Sequence, residues 1–324
     1  MDAELEKQVK KAHEIIERVI GEYNKVVVGQ RVMAERMLIG LLTGGHLLLE
    51  GVPGLAKTIA VKTMARISGL PFSRIQFTPD LMPSDLLGTQ IYNQKTGDFS
   101  IKKGPLFSHV ILADEINRAP SKVQSALLEA MQERQITIAD ESFTLEEPYL
   151  VMATQNPLEQ EGTYPLPEAQ VDRFLMKVQV GYPTPAEEVD ILRRMSVRQE
   201  LPVEPLLSKE ILLKLRKVVD HVYMDDKLFG YIVDLVFATR DPKRFGIDPS
   251  LILYGVSPRG SIALAQAARA QALLSGESYV KTEDIKAVAY DVLRHRLALT
   301  YEAEAEGLTS QDLLRKVFEQ VHTP

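Results

Sequence analysis

His46-Leu47-Leu48-Leu49-Glu50-Gly51-Val52-Pro53-Gly54-Leu55-Ala56-Lys57-Thr58 is the stretch that decides the fold of this chain. A short apolar run passes into a glycine-rich loop, Lys57 and Thr58 close the loop, and a helical pattern runs from Lys57 to about Ser68. Strand, loop and helix in that order are the layout of a P-loop, which wraps the phosphates of a nucleotide. The residue types suit that chemistry. Glycines let backbone N–H groups turn inward with no Cβ in the way, the lysine brings charge to β- and γ-phosphates, and the threonine hydroxyl can ligate Mg²⁺. Ala56 stands where glycine is usual before the lysine, so the loop needs support from the rest of the chain.

Working outward, residues 2–24 read as an amphipathic helix with Leu5, Val9, Ala12, Ile15, Ile16, Val19 and Tyr23 on one face. A second helix is predicted over about 30–42, ended by Gly44-Gly45. Strands are predicted at 72–77, 110–113, 149–154 and 174–180, and a helix over 121–133. Ser84-Asp85 is read as the cap of a short helix. Hairpins are expected from Ile91 to Ser100, around Lys95-Thr96-Gly97-Asp98, and from Ile136 to Leu145, around Asp140-Glu141. Strands alternating with helices predict an α/β domain of three layers with a mostly parallel sheet. Past the break at Gly181-Tyr182-Pro183-Thr184-Pro185 the pattern turns helical, near 185–197, 208–222, 226–240, 257–275, 282–297 and 310–321, with a loop over 241–256. The expected division is an α/β core over 1–182 and a smaller all-α domain over 183–324.

The balance of charges is −6 over 324 residues, which argues against a chain built mainly to neutralise nucleic-acid phosphates. The absence of cysteine excludes disulfides, zinc–thiolate sites and cysteine nucleophiles. Apolar runs fall short of a membrane span, and the acidic N-terminus does not read as a secretory signal, so the cytoplasm is the expected location. No two of the six histidines have metal-ligand spacing.

Several constellations could complete a nucleotide site. Val110-Ile111-Leu112-Ala113-Asp114-Glu115 is an apolar strand delivering two carboxylates: Asp114 can hold Mg²⁺, and Glu115 can orient and deprotonate water. Ala153-Thr154-Gln155-Asn156-Pro157 puts Asn156 at a strand's C-terminal end, where α/β sheets bind ligands, although Asn-Pro is also a common turn starter. Arg173, in Glu168-Ala169-Gln170-Val171-Asp172-Arg173-Phe174, could reach a neighbouring chain's γ-phosphate or simply pair with Asp172. In Ser257-Pro258-Arg259-Gly260, Ser257 and Pro258 start a helix, so Arg259 faces the positive end of the dipole, a small cost that an anion nearby would offset.

Taken in order, these stretches resemble the AAA+ ATPases, and within them the MoxR family. Val28-Gly29-Gln30, Phe77-Thr78-Pro79-Asp80-Leu81-Met82-Pro83-Ser84-Asp85, Asp114-Glu115-Ile116-Asn117-Arg118-Ala119-Pro120 and Leu127-Leu128-Glu129-Ala130-Met131-Gln132-Glu133 add to the matches, which span about residues 25–300. Alanine before the P-loop lysine is usual in that family. The resemblance implies a P-loop NTPase core followed by a helical lid, with ATP and Mg²⁺ bound between them. Gly51, Val52, Pro53, Gly54, Leu55, Ala56, Lys57 and Thr58 look like Walker A, and Asp114 and Glu115 like Walker B. Asn156 looks like sensor 1, Arg259 like sensor 2 and Arg173 like an arginine finger. Arg118 is a candidate interface contact. Val28 and Gly29 would lie near adenine, and the two hairpins look like the insertions in the second helix and before sensor 1.

The implied activity is Mg²⁺-dependent ATP hydrolysis, catalysed by Glu115, Asn156, Arg173, Arg259 and Lys57, with Thr58 and Asp114 on the metal. It would run in a homo-oligomeric ring, a hexamer by analogy, that remodels or matures partner proteins as a chaperone-like motor. A client with a von Willebrand factor A domain is one partner the resemblance suggests. The alternatives are a nucleic-acid motor, which the acidic balance opposes, and the motor subunit of a metal chelatase.

Overall fold

The computed structural model describes residues 3–95, 97–156, 162–196 and 201–324. The chain forms two compact units, one of residues 18–173 and 178–213, the other of residues 1–17, 174–177 and 214–324. The elements run α1 (Ala3–Val26), α2 (Arg31–Thr43), β1 (Leu47–Glu50), α3 (Lys57–Ile67), β2 (Phe72–Gln76), α4 (Pro83–Leu87), β3 (Gly88–Tyr92), β4 (Phe99–Lys103), β5 (Val110–Asp114) and α5 (Ser121–Glu133). They continue with β6 (Gln135–Ile138), β7 (Glu141–Thr144), β8 (Leu150–Gln155), α6 (Glu168–Val171), β9 (Met176–Gln179), α7 (Pro185–Met195) and α8 (Lys209–His221). Last come α9 (Asp226–Arg240), β10 (Ile252–Tyr254), α10 (Pro258–Leu274), α11 (Thr282–Leu293), β11 (Ala298–Leu299), α12 (Tyr301–Ala305) and α13 (Ser310–Gln320).

The first unit is built on a five-stranded sheet in the order β2-β5-β8-β1-β9. β2 with β5, β5 with β8, and β1 with β8 are parallel. Leu47 to Leu49, Val110 to Ala113 and Leu150 to Thr154 are buried throughout, the unbroken apolar runs of strands covered on both faces. The register sets Glu50 against Gln155 and Gln76 against Asp114. The loops leaving β1, β5 and β8 therefore open on one C-terminal edge, where such sheets bind ligands.

Two antiparallel hairpins leave this unit. The first spans Gly88 to Lys103, longer at both ends than the expected Ile91–Ser100. Gly88 has φ +105°, and a Cβ there would meet the Lys102 carbonyl oxygen at 2.2 Å, so only glycine fits the start. The second pairs β6 with β7. The expected cap at Ser84-Asp85 is corrected: Met82 is the N-cap of α4, Pro83 opens the helix, and Asp85 Oδ2 accepts from the Met82 N–H at 2.8 Å. Proline suits the first helical position because its missing N–H is one that a helix start leaves unpaired.

The second unit is mainly helical. α10 packs on α11 and α9, with Ala263, Ala267, Ala268 and Ala270 buried so that the axes can approach closely. The expected loop over 241–256 contains β10, which pairs antiparallel with β11, and α12 lies where no helix was expected. α11 stops at Leu293 rather than near 297, because the side chains that follow turn to bind backbone carbonyls. Among the described residues no helix is long and apolar enough to cross a membrane.

Candidate nucleotide site

β1 delivers the loop 51–56. Gly51 passes so close to β9's end that a Cβ would meet the Val180 carbonyl oxygen at 2.7 Å. Val52 is half-buried, and Pro53, Gly54 and Ala56 are exposed to the cleft. Gly54 has φ +87° and Ala56 has φ +55°. Both lie in the left-handed region, which costs an L-residue about 1 kcal/mol or more. Alanine can bear that as a single residue. Lys57, the first residue of α3, donates from Nζ to the Gly51 carbonyl at 2.5 Å. Burial pulls its pKa below the usual lysine value, and Asp114, Glu115 and Glu50 oppose that shift.

β5 brings Asp114 and Glu115 beside this loop, and each is fastened by neighbours. Thr154, 1% exposed on β8, donates from Oγ1 to Asp114 Oδ1 at 2.7 Å and accepts from the Glu115 N–H at 2.8 Å. Arg74, on β2, grips the other oxygen, Asp114 Oδ2, from Nη2 at 2.7 Å and Nε at 3.1 Å. Thr58 Oγ1 donates to that same Oδ2 at 3.5 Å. Glu115 has φ +58°, a strained backbone for a non-glycine residue of the kind that gathers at functional sites. Its Oε2 accepts from Gln76 Nε2 at 2.8 Å and Arg118 Nη1 at 3.2 Å. The turn after it is held by buried Gln124, whose Nε2 donates to the carbonyls of Ile116, Ala119 and Tyr164 at 3.2, 3.1 and 2.9 Å.

Lys57, Thr58, Asp114, Glu115, Thr154 and Asn156 line one cleft. Asn156 is buried at the end of β8; Pro157, which follows it, lies outside the described residues. A second, mostly apolar cleft adjoins the first through Gly54, Leu55, Ala56, Ile59 and Ile191, and adds Val26, Val27, Val28 and Pro183. Gly29, next to Val28, has φ +73°, and a Cβ there would strike the Glu187 carboxylate at 2.4 Å. A polar cleft under a P-loop beside an apolar one can hold a phosphate chain and a base.

The Thr58 and Asp114 oxygens suit a hard divalent cation that keeps most of its ligands as water and phosphate. No group of three or more His, Asp or Glu side chains that could hold a metal ion occurs among the described residues. Arg173 lies outside the cleft; it is exposed, and its Nη1 donates to the Leu128 carbonyl at 3.3 Å. Arg259 belongs to the other unit, exposed in the first turn of α10 behind Ser257 at the N-cap and Pro258. That entry is fixed by Arg240 Nε on the Val256 carbonyl (2.7 Å) and the Val256 N–H on Thr239 Oγ1 (2.9 Å).

Comparison with known proteins adds to this geometry. Residues 46–176 match the family described as "ATPase family associated with various cellular activities (AAA)", and residues 249–317 match its lid domain. Chaperone MoxR1 of Mycobacterium tuberculosis is 50% identical over 95% of this chain and 82% of its own. Protein MoxR of Paracoccus denitrificans is 34% identical over 88% and 89%. The chain belongs to the MoxR family of AAA+ ATPases. A crystal structure of a candidate ATPase from Cytophaga hutchinsonii has 52% identity and a TM-score of 0.93, covering 98% of this chain and 97% of that one. As a member of this family the protein binds nucleotide and hydrolyses ATP. The AAA match includes the P-loop, the Asp114-Glu115 pair and Arg173, and the lid match includes Arg259.

Thr154, Arg74, Gln76 and Gln124 were not assigned a role from sequence. Gln124 carried a signal: it is a polar residue beside Val123 and Leu127 on the buried face of α5. Arg74 and Gln76 carried none: they are exposed on either side of buried Ile75 on β2, and only the pairing with β5 sets them beside the carboxylates.

Proposed function

We propose that this MoxR-family ATPase uses ATP with Mg²⁺ to drive a ring-shaped, chaperone-like motor that remodels or matures partner proteins. The observation that carries the nucleotide chemistry is the convergence of Lys57, Thr58, Asp114, Glu115 and Asn156 on one cleft beside an apolar one. Val28 and Gly29 border the base, and residues 51–58 surround the phosphates. Mg²⁺ supplies charge neutralisation at the phosphates, with Thr58 and Asp114 as its protein ligands. Lys57 brings its cationic side chain to the phosphates. Glu115 orients the attacking water and takes its proton, and Asn156 helps to place that water.

Arg173 serves the nucleotide of an adjacent subunit, a role supported by its exposure and its place outside its own chain's cleft. Arg259 acts as the lid's arginine at the phosphates. Hydrolysis then depends on assembly, with a hexameric ring the form in view. The functional division is a core over 1–182 and a lid over 183–324; the compact units differ in grouping residues 183–213 with the sheet and residues 1–17 and 174–177 with the helical unit. The chaperone-like role follows the name of the Mycobacterium tuberculosis relative, with a von Willebrand factor A protein as one client class and the cytoplasm as the setting.

Glu115→Gln is the test. It keeps the shape and the hydrogen-bonding reach toward Gln76 and Arg118 but removes the base, so the variant should bind ATP with near-normal affinity and lose turnover by about 10²-fold or more. Wild-type turnover would remove Glu115 from its role.

A further inference from the structure

Arg294-His295-Arg296 follows the last turn of α11, and two of these side chains reach the backbone that follows Arg173. His295 Nε2 donates to the Phe174 carbonyl at 3.1 Å. Arg296 donates to the same carbonyl from Nη2 at 2.6 Å and to the Leu175 carbonyl from Nη1 at 3.1 Å. Nη1 also bonds the Val292 carbonyl, tying the guanidinium to the end of its own helix. Phe174 and Leu175 are buried, and β9 begins only at Met176. Their carbonyls precede the strand, so these side chains supply donors that the sheet ladder does not, and a buried carbonyl without a donor is costly.

The stem of Arg296 has a second neighbour. A Cβ built on Gly260 would lie 3.2 Å from Arg296 Cδ and 2.2 Å from Val256 Cγ1. Gly260 is the residue after Arg259, and the absence of a side chain there lets Arg296 pass close to the turn that opens α10. One side chain thus touches the backbone next to each of the two arginines assigned to phosphate. A charged group that acts on a transition state must be held to within a fraction of an ångström.

We infer that His295 and Arg296 are positioning residues for the ATPase reaction: they hold the peptide that follows Arg173 and back the helix turn that carries Arg259. The two arginines are thereby coupled through a single side chain, by its guanidinium on one side and its stem on the other. This rests on the reading of Arg173 as a residue that completes a neighbour's site. It gives each chain a physical link between the arginine used on its own nucleotide and the arginine lent to the next.

The test is a double-mutant cycle on turnover at saturating ATP, under assembling conditions, with nucleotide affinity measured separately by a fluorescent ATP analogue. Arg173→Ala should slow kcat by on the order of 10³-fold, the low end of an arginine finger's contribution. Arg296→Met keeps the stem against Gly260 and removes the donors, and should slow kcat about tenfold or more with affinity changed less than about twofold. The double variant should be no slower than Arg173→Ala alone, because Arg296 works through Arg173. His295→Gln, which retains a donor, should stay near wild type, and His295→Leu should fall between.

If the two losses multiply in the double variant while Arg173→Ala is slow, the positioning role is overturned and the finger reading stands. If Arg173→Ala turns over at the wild-type rate, the finger reading fails and takes the positioning role with it. Should Arg296→Met lose its cooperative thermal transition, the same cycle is run with His295→Leu, and multiplying losses there are equally decisive.

Discussion

Thr154→Val is the most direct probe of how the carboxylates are held. The hydroxyl makes two short bonds, 2.7 Å to Asp114 Oδ1 and 2.8 Å from the Glu115 N–H, in a side chain 1% exposed. Valine keeps the shape and removes both. A bond to a carboxylate contributes about 1.5–3 kcal/mol, and a buried N–H left without a partner costs about 1–3 kcal/mol. The extra methyl returns less than about 1 kcal/mol. The net loss expected is about 1.5–6 kcal/mol of stability in the unit that carries the sheet. Turnover should fall about tenfold or more, one factor of ten for each 1.4 kcal/mol lost at the transition state.

Urea unfolding followed by circular dichroism measures the first quantity, and steady-state ATP hydrolysis at saturating nucleotide the second. Thr154→Ser is the control: it keeps the hydroxyl and gives up one methyl, at about 0.5–1.5 kcal/mol, and should keep turnover within about threefold of wild type. If serine is as damaging as valine, packing rather than hydrogen bonding explains the site. If valine behaves as wild type in both assays, Thr154 does not organise the carboxylates.

Arg74→Gln frees Asp114 Oδ2 from a cation bound at 2.7 Å. Because Arg74 is about half exposed, at 48%, the pair is discounted to about 1 kcal/mol, and the Mg²⁺ concentration that half-saturates nucleotide binding should drop about fivefold; an unchanged or higher requirement contradicts competition between Arg74 and the metal. His295 is held well below the usual histidine pKa, by burial first and then by the charge of Arg296, with smaller pushes from Lys177 and Arg294 and an opposing pull from the Phe174 carbonyl. Below about pH 6.5 the unfolded chain takes up a proton that the folded chain refuses, so stability falls as pH drops through that value, by up to about 1.4 kcal/mol per pH unit. His295→Gln should flatten that part of the slope in urea midpoints taken between pH 7.5 and 5.5, and an identical slope in the variant would refute the assignment.

The α/β core was legible because its strands are apolar runs of a length and spacing that a buried parallel sheet requires; β1, β5 and β8 fall within one residue or so of where the runs Leu47–Leu49, Val110–Ala113 and Tyr149–Thr154 put them. The P-loop and the Asp114-Glu115 pair were legible because each side chain follows directly from the end of such a strand. Less legible were the partners supplied across the sheet. Arg74 is a polar residue on β2, and nothing in its own neighbourhood says that β2 will pair with β5 and set it beside Asp114. Thr154 carries no signal in its motif, since a threonine in a strand is ordinary until the register faces it toward two carboxylates. β10 and β11 are short and pair across more than forty residues of sequence, a distance no local pattern reports. The helix expected to reach 297 ended early for a related reason: His295 and Arg296 find acceptors on Phe174 and Leu175, far away in sequence.

The network around Asp114 divides its labour by oxygen atom. Oδ1 is held by Thr154, which is itself buried and fixed by the strand next door. Oδ2 faces Thr58 and carries Arg74, which is half exposed on a long side chain. A cation arriving with nucleotide would contest Oδ2, and the weakest partner there is the exposed arginine, whose pairing is discounted by solvent. Arg74 can leave without Asp114 turning, because the Thr154 bond does not depend on it. Glu115 follows the same logic: its backbone N–H is fixed to Thr154, while its carboxylate is held by Gln76 and Arg118, both surface side chains. The Glu115 backbone and Asp114 Oδ1 are therefore set by a buried side chain, whereas Asp114 Oδ2 and the Glu115 carboxylate are contacted by exposed ones. Preorganisation of this kind places the strain, seen in the φ of Glu115, on the part of the site that Thr154 already holds still.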